Sequence, residues 1–529
     1  MSEASGTWRS ACGGAGARGL DLRAIDELGI RRLATDSRRV TRGDTFVAYP
    51  GLEHDGRRYI AAAIANGARS VLWEKRGFLW KRAWRVPNLG IVDLRARAGL
   101  IASRIQGHPS ARLWMIGVTG TNGKTSCSHW IARALNDNGL RCAVVGTLGY
   151  GLLGPRVGKL RPLANTTPDA VWLHAQLAAL TRRGARAVSM EVSSIGLDQD
   201  RIAGVQFDVA LFTNLTRDHL DYHRTMRRYE TAKMRLFECE SLKYAVINLD
   251  DDFGARLAKR IKRSGLNVIG YGFGPRAAHG ARVHGSNLVS DARGVRFDIV
   301  SPWGKAHVAS PLLGRFNASN LLGTLAVLLA SGMGLRQAIA ALTHLAPVPG
   351  RMQTVGGGTR PVVVIDYAHT PDALEQVLLT LRELVKGFEF RVPRSGLKPK
   401  KEGAHAQPPS KAPQLICVFG CGGGRDRGKR PLMGRVASRL ADRVVLTNDN
   451  PRHEAPLAIT DDILAGCDGG CEIEPDRRRA IKRAIHAARR GDVVLIAGKG
   501  HETYQEVKGV RRPFSDIDVA RAALRRRAA

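Results

Sequence analysis

The segment GVTGTNGKTS (117–126) carries the clearest chemical signal in the sequence. Glycines let backbone N–H groups converge, and at a helix N-terminus those groups form an anion cradle. Lys124 would reach terminal phosphates, and the Thr125 hydroxyl would sit on Mg²⁺. The full phosphate-loop pattern G-x-x-x-x-G-K-[ST] requires glycine six residues before the lysine. Val118 stands there, so what remains is a shortened G-x-x-G-K-T from Gly120 to Thr125. Alone, that pattern could arise by chance. Between an apolar strand (LWMIGV, 113–118) and a helix from Lys124 to about Asn138, it predicts ATP binding.

Phosphoryl chemistry needs Mg²⁺, which prefers hard oxygen ligands and keeps several waters. Glu191 ends the apolar strand AVSME, at the sheet edge where parallel sheets bind ligands. The next strand runs into TNLTRDHLDYH (213–223), dense in polar side chains. His219 and His223 are four apart, as in the zinc-protease pattern H-E-x-x-H, but Leu220 replaces the required glutamate and excludes that chemistry. Capping or hydrogen bonding would explain any one of these residues. Their clustering beside a phosphate loop favours function.

The elements that must position these residues alternate. Apolar strands at 113–118, 187–192, 209–215 and 244–250 are separated by helical patterns, which implies crossover units and a parallel sheet. NASNLLGTLAVLLASG (317–332) reads as a buried helix ending at glycine. Before them, residues 20–112 carry short strands (Asp44–Tyr49, Ser70–Trp73) and a helix, Ala96–Ile105. After Pro347-Val348-Pro349-Gly350, strands at 361–368, 414–421, 442–449 and 491–498 suggest another doubly wound unit. The expectation is an α/β chain of three domains. A small α/β domain spans 1–112, a parallel-sheet ATPase domain 113–348, and a Rossmann-like domain 349–529. Residues 391–413, with five prolines, six basic residues and almost no large apolar side chain, read as a disordered insertion.

Composition bounds the function classes. At 529 residues the chain exceeds one ordinary domain. Lys+Arg number 82 against 47 Asp+Glu, a net +35, which favours anionic ligands. The cations are spread along the whole chain, unlike the concentrated face of a nucleic-acid binder. The eight cysteines include no C-x-x-C pair, so zinc and a disulfide framework are not expected. No signal peptide and no run of ~18 apolar residues is visible. A cytoplasmic, monomeric protein acting on small molecules is expected, with neither nucleic acid nor membrane as partner.

Taken with DSRRVTRGDTFVAYPG (36–51), NTTPD (165–169), MEVSSIGLDQDR (190–201), YETAKMRLF (229–237) and DNPR (449–452), these residues resemble the Mur ligase family of ATP-dependent amide-forming enzymes. The likeness runs from about Thr35 to Arg521, and is greatest to the branch that adds meso-diaminopimelate to UDP-N-acetylmuramoyl-L-alanyl-D-glutamate in peptidoglycan synthesis. It implies that ATP phosphorylates the substrate carboxylate and that an amine then attacks the acyl phosphate.

The resemblance also implies residue roles. Gly120, Thr121, Asn122, Gly123, Lys124, Thr125 and Ser126 would hold ATP, with Asn317 and Arg351. Thr125, Glu191, His219 and Lys233 would be Mg²⁺ ligands, Lys233 as a carbamate; read without the resemblance, Lys233 is an exposed helical lysine. Thr35, Ser37, Leu52, Glu53, His54, Asn165, Thr166, Thr167, Ser193, Gln199 and Arg201 would contact the UDP-sugar dipeptide. Ile195 stands where the family often has histidine. Arg425, Asp449, Asn450, Pro451, Arg452, Gly498 and Glu502 would hold the amino acid. The Arg452 fork suits a distal carboxylate, which lysine lacks, and Glu502 suits an ammonium group. Two other readings compete. One is a folylpolyglutamate synthetase-like ligase, opposed by DNPR and the first-domain match. The other is a nucleic-acid-binding ATPase, opposed by the absence of helicase-like or aromatic–basic interleaving.

Overall fold

The computed structural model describes residues 20–51, 54–153, 160–262, 265–280, 282–389 and 412–526. Leu52 and Glu53, and all but the last two residues of the proposed insertion 391–413, lie outside them. The described residues build three large sheets in sequence order and a two-stranded hairpin.

The first sheet has four parallel strands: Leu33–Ala34, Thr45–Ala48, Ser70–Glu74 and Asn88–Ile91, in that order. Its two central strands are buried on both faces, as parallel strands covered by helices must be. The helix Leu94–Ile105 starts earlier than its sequence pattern suggests. Its backbone N–H at Leu94 donates to Glu74 Oε2 at 2.8 Å, which supplies a start signal from 20 residues away.

The second sheet has ten strands, and Trp114–Thr119 lies in its interior between Val209–Phe212 and Ala187–Glu191. Seven neighbouring strands run parallel, Val283–Asp291 being the last of them. The remainder differ from the expected all-parallel sheet. Gly149–Leu152 pairs antiparallel at one edge, and Gly294–Ser301 and Gly304–Ser310 add antiparallel to Val283–Asp291 at the other, making a three-stranded meander. The register pairs Val118 with Glu191 and Thr119 with Phe212. The loops after all three strands therefore open on one edge. The helix Arg315–Ala330 is buried over nearly its whole surface, which its continuous apolar run demands.

The third sheet orders Gln353–Gly356, Val362–Asp366, Val493–Ala497, Leu415–Phe419, Arg443–Leu446 and Glu472–Ile473, parallel except for the first. A separate hairpin, Tyr504–Val507 with Val510–Pro513, leans on the loop after Arg443–Leu446. The helix Pro371–Glu389 connects the second strand back toward the start of Leu415–Phe419. Among the described residues no helix is long and apolar enough to cross a membrane.

Candidate active site

The phosphate loop leaves its interior strand and turns at once. Gly123 holds φ 86°, and a Cβ there would lie 2.5 Å from Asn320 Oδ1. A Cβ on Gly120 would lie 1.9 Å from Thr213 Oγ1. Both positions therefore need glycine for space, and Gly123 also for its backbone. Asn214 fixes the loop from outside: its carbonyl accepts from Thr121 N at 2.8 Å and its Oδ1 from Asn122 N at 2.9 Å. Lys124 folds over the loop, Nζ donating to the carbonyls of Gly120 and Thr121 at 2.8 Å each. Burial lowers its pKa against the pull of Glu191 and Asp218. Thr125 and Ser126 are buried in the first turn of the helix Lys124–Asp137.

Glu191 is fully buried at its strand end. It accepts from Thr125 Oγ1 at 2.9 Å, Thr147 N at 2.7 Å and Thr147 Oγ1 at 3.0 Å. A carboxylate and a hydroxyl side by side at a phosphate loop are the hard-oxygen pair that Mg²⁺ takes. Arg351 Nη2 donates to the same Thr125 hydroxyl at 3.0 Å, while its guanidinium lies 4.4 Å over the Tyr367 ring. Its buried Nε has no partner among the described residues, a donor left for a ligand. Asn317 is buried, with Nδ2 donating to Leu313 O at 2.8 Å. Asn317, Asn122, Thr125 and Arg351 line one cavity of about 400 Å³ with Phe316 and Tyr367.

Lys233 departs from its sequence reading as an exposed helical lysine: it is 1% exposed. Tyr229 and Lys233, four apart on the helix Met226–Met234, share a face that turns onto the phosphate loop. Lys233 Nζ donates to Gly120 O at 2.7 Å and lies 4.6 Å over the Tyr229 ring. Burial holds its pKa well below the usual lysine range, and Lys124 adds to the effect. A neutral amine is the form that can add CO₂. His219 precedes the short helix Leu220–His223 with φ 54°. Burial pushes its pKa down to about 3 despite Asp218, so the ring is a neutral donor. His223 instead meets Ser194 Oγ at 3.0 Å, so the two imidazoles serve different neighbours.

Asp218 is the residue that the sequence reading misses. It lies between His219 Nε2 (3.4 Å), His369 Nε2 (3.7 Å) and Lys429 Nζ (3.9 Å). Burial opposes its charge, but these partners outweigh burial and hold its carboxyl well below the usual range. Arg217 pairs with Asp426 at 3.2 Å beside it. Asn122 Nδ2 donates to Asp372 Oδ2 at 3.0 Å. The third sheet's loops thus touch the phosphate loop and the His219 segment directly.

The residues expected at a UDP-sugar dipeptide form a second group. Thr167 Oγ1 donates to Glu191 O at 3.0 Å and accepts from Ser193 N at 2.9 Å. Thr166 meets Thr147 through its hydroxyl at 3.1 Å, and Asn165 is exposed beside it. Ser193 caps the helix Ser194–Asp198, which carries the half-buried Ile195. Arg201 clasps Gln199 Oε1 through Nε (3.1 Å) and Nη2 (2.7 Å), and Nη1 donates to Thr167 O at 2.9 Å. Thr35, the buried Ser37 and the exposed His54 lie on the first sheet's loops. Tyr49 OH joins that sheet to this group by donating to Asp169 Oδ2 at 3.0 Å.

A third group centres on Asp449-Asn450-Pro451-Arg452. Arg452 has φ 54°, and its Nη1 donates to Gly423 O at 2.6 Å. A Cβ on Gly422 would meet both Arg452 Nη1 (3.0 Å) and Arg425 Cγ (3.8 Å), so two arginines flank one glycine. Asn450 accepts from Lys499 Nζ (2.9 Å) and Glu506 N (2.9 Å) and donates to Glu502 Oε2 (2.8 Å). A Cβ on Gly498 would sit 2.6 Å from Asp449 Oδ2. Glu502, expected to face an incoming ammonium, already pairs with the fully buried Lys499 at 2.7 Å. Nothing in the GKGHE segment marks Lys499 for this role in advance.

Comparison with known proteins places this geometry. Residues 29–105 match the Mur ligase family catalytic domain, 118–328 the Mur ligase middle domain, and 402–500 the Mur ligase glutamate ligase domain. The chain is 49% identical over 502 residues to the UDP-N-acetylmuramoyl-L-alanyl-D-glutamate–2,6-diaminopimelate ligase of Nitrosomonas europaea, covering 94% of this chain and 93% of that one. The enzyme of the same name from Chromobacterium violaceum is 48% identical over 508 residues, covering 95% and 96%. A solved structure of a ligase of that name superposes with a TM-score of 0.64 at 38% identity, covering 94% and 96%. A Mycobacterium tuberculosis folylpolyglutamate synthase shares the fold at a TM-score of 0.59 and 18% identity, covering 75% and 91%.

Proposed function

The chain belongs to the Mur ligase family, and on that premise we propose that it joins meso-diaminopimelate to UDP-N-acetylmuramoyl-L-alanyl-D-glutamate at the expense of ATP. The reaction would serve peptidoglycan precursor synthesis in the cytoplasm. Residues 1–112 would bind the UDP-sugar, 113–348 the ATP and 349–529 the amino acid.

One observation carries the reading. The segment bearing Arg425 is tied to the segment bearing His219 by Arg217–Asp426 and Lys429–Asp218. An amino acid held by Arg425 and Arg452 would therefore border the phosphoryl site, within reach of an activated carboxylate.

A carboxylate is a poor electrophile, so its oxygen must first attack the terminal phosphorus of ATP and release ADP. Lys124 would turn from the Gly120 and Thr121 carbonyls to the phosphates, and Arg351 would hold them from the opposite side. Thr125 and Glu191 would hold one Mg²⁺, and His219 with Lys233 once carboxylated would hold a second; the ions would supply positive charge against the phosphates. Burial of Lys233 favours its neutral amine, which adds CO₂ and releases a proton to become an anionic oxygen ligand. The amine of diaminopimelate would then attack the acyl carbon and expel phosphate. Arg452 and Arg425 would orient the distal carboxylate, and Asn450 and Glu502 would line the amine end.

Phosphate release from ATP and Mg²⁺ with the UDP-sugar dipeptide tests the proposal, with meso-diaminopimelate, L-lysine or no amine added and the product weighed by mass spectrometry. Turnover with diaminopimelate alone is expected. Turnover with lysine would remove the role given to Arg452, and ligation of a folate without activity on the dipeptide would overturn the reading.

A further inference from the structure

The loop between the strands Ser70–Glu74 and Asn88–Ile91 plays no part in the chemistry above. Its sequence, KRGFLWKRAWRV (75–86), has five cations and no acid. Two turns, at Arg76-Gly77 and Arg82-Ala83, bracket Phe78-Leu79-Trp80. The rings pack on one another: Phe78 stacks on Trp84 at 6.2 Å, Trp80 meets Trp84 edge-on at 5.0 Å, and Trp73 lies 5.7 Å from Trp80. This platform rests on the buried cluster around Phe46 and Val71. Arg57 fastens it from below, donating to Arg76 O at 2.7 Å with its guanidinium 5.0 Å over Phe78.

What the platform presents outward is Leu79, 88% exposed. Around it, Arg76 pairs with Asp93 at 2.9 Å, whereas Lys75, Lys81, Arg82 and Arg85 have no acidic partner among the described residues. Glu74, the acid adjoining the loop, is buried and accepts from Arg76 N and Leu94 N. A rigid aromatic base, a projecting aliphatic side chain and a ring of cations without acidic partners together match the chemistry of an anionic bilayer surface. Single-stranded nucleic acid would need free ring faces for stacking, and here Phe78 and Trp84 cover one another.

We propose that the loop 75–86 docks this protein on anionic lipid bilayers, with Leu79 and the indole edges at the acyl–headgroup boundary and the cations on the headgroups. A contact of this kind lies on the membrane and needs no spanning run.

Co-sedimentation of the full chain with phosphatidylcholine vesicles, with and without phosphatidylglycerol, tests it. Binding is expected only with phosphatidylglycerol. Leu79→Glu should raise the half-saturating lipid concentration about tenfold by removing the apolar insertion. Lys81→Glu with Arg82→Glu should raise it by at least about tenfold through lost headgroup attraction. Lys259→Glu with Lys262→Glu, the same charge change at the end of the helix Asp252–Ile261 beside the second sheet, should alter it less than about threefold because salt screens remote charges. Ligase turnover in solution should be unchanged in all of these variants and reports their folding. No sedimentation, or loop variants that bind like the unaltered protein, would overturn the proposal. Equal losses from the Lys259/Lys262 pair would also overturn it, in favour of attraction by the overall charge.

Discussion

Lys124 and Lys233, 109 positions apart, donate to the same carbonyl oxygen, that of Gly120, at 2.8 and 2.7 Å. Two ammonium groups on one oxygen would repel; burial lowers the pKa of both, and Lys124 adds to the shift that keeps Lys233 a neutral amine. Carboxylation of Lys233 would place an anion there, which the neighbouring Lys124 attracts. Replacing Lys233 by alanine should therefore reduce ligation at least about a hundredfold, as loss of preorganised charge does. Added short carboxylic acids should restore part of the rate. Failure of every such acid to restore any would remove the carbamate role.

Arg452 is held by its own backbone and by Gly423 O, so its fork is set before a ligand arrives. Arg452→Ala should raise KM for diaminopimelate by about 10- to 100-fold, the worth of a charge-assisted hydrogen bond. KM for ATP should change little. Steady-state kinetics with each substrate varied in turn would show a shared loss if the assignment is wrong.

Two ion pairs bridge the second and third sheets, and their exposure separates them. Arg217 is 43% exposed over an Asp426 that is 8% exposed, whereas both members of the other pair, Asp218 and Lys429, are buried at 8% and 7% at the side chain. A pair open to solvent on one side contributes about 0–1 kcal/mol, and Asp426 keeps a second partner in Gly428 N at 2.9 Å, but a fully buried charge that loses its partner costs several. Arg217→Ala should lower kcat less than about fivefold. Asp218→Asn should lower it far more, because the buried Lys429 loses its counter-charge and His219 and His369 lose the carboxylate between them. Equal effects would show that Asp218 does no more than a surface partner.

Acid should weaken the fold through His174. Its Nε2–H donates to Ala203 O at 2.9 Å, and burial pushes its pKa from 6.5 down to about 4. The unfolded chain takes up the proton first. The stability contribution is therefore complete above pH 6.5 and is lost as pH falls toward 4, up to roughly 3 kcal/mol. Urea unfolding across that range should show the loss, and His174→Gln should flatten it.

Gly123→Ala would force a side chain onto φ 86° and within 2.5 Å of Asn320 Oδ1. Strain of about 1–3 kcal/mol is expected, with ATP affinity falling further than thermal stability. Nucleotide titration against the melting temperature separates the two.

Much of this site is legible because its signals are local. Strand, glycine loop and Lys124 are contiguous, and Glu191 announces itself as a carboxylate ending an apolar run. The strands at 187–192, 209–215 and 244–250 are each shorter than their apolar runs suggest, because the polar residues after them belong to the site loops. Pattern alone misreads Lys233 because its burial depends on Gly120, 113 residues away. Asp218 escapes a linear reading because its partners His369 and Lys429 come from another sheet. The meander 283–310 is not anticipated either: its strands alternate buried and exposed residues with many polar side chains, and they lie between stronger parallel signals.

The helix Pro371–Glu389 returns the chain from the functional edge of the third sheet to the opposite edge, where Leu415–Phe419 begins. The helix end at Glu389 and the strand start at Leu415 therefore lie away from Arg351, Asp372 and the Asp449–Arg452 turn. Doubling the length of such a connection costs only about 0.6 kcal/mol in closure entropy. A fluorescent domain or affinity handle joined between those two element ends would leave the three substrate sites to meet as before.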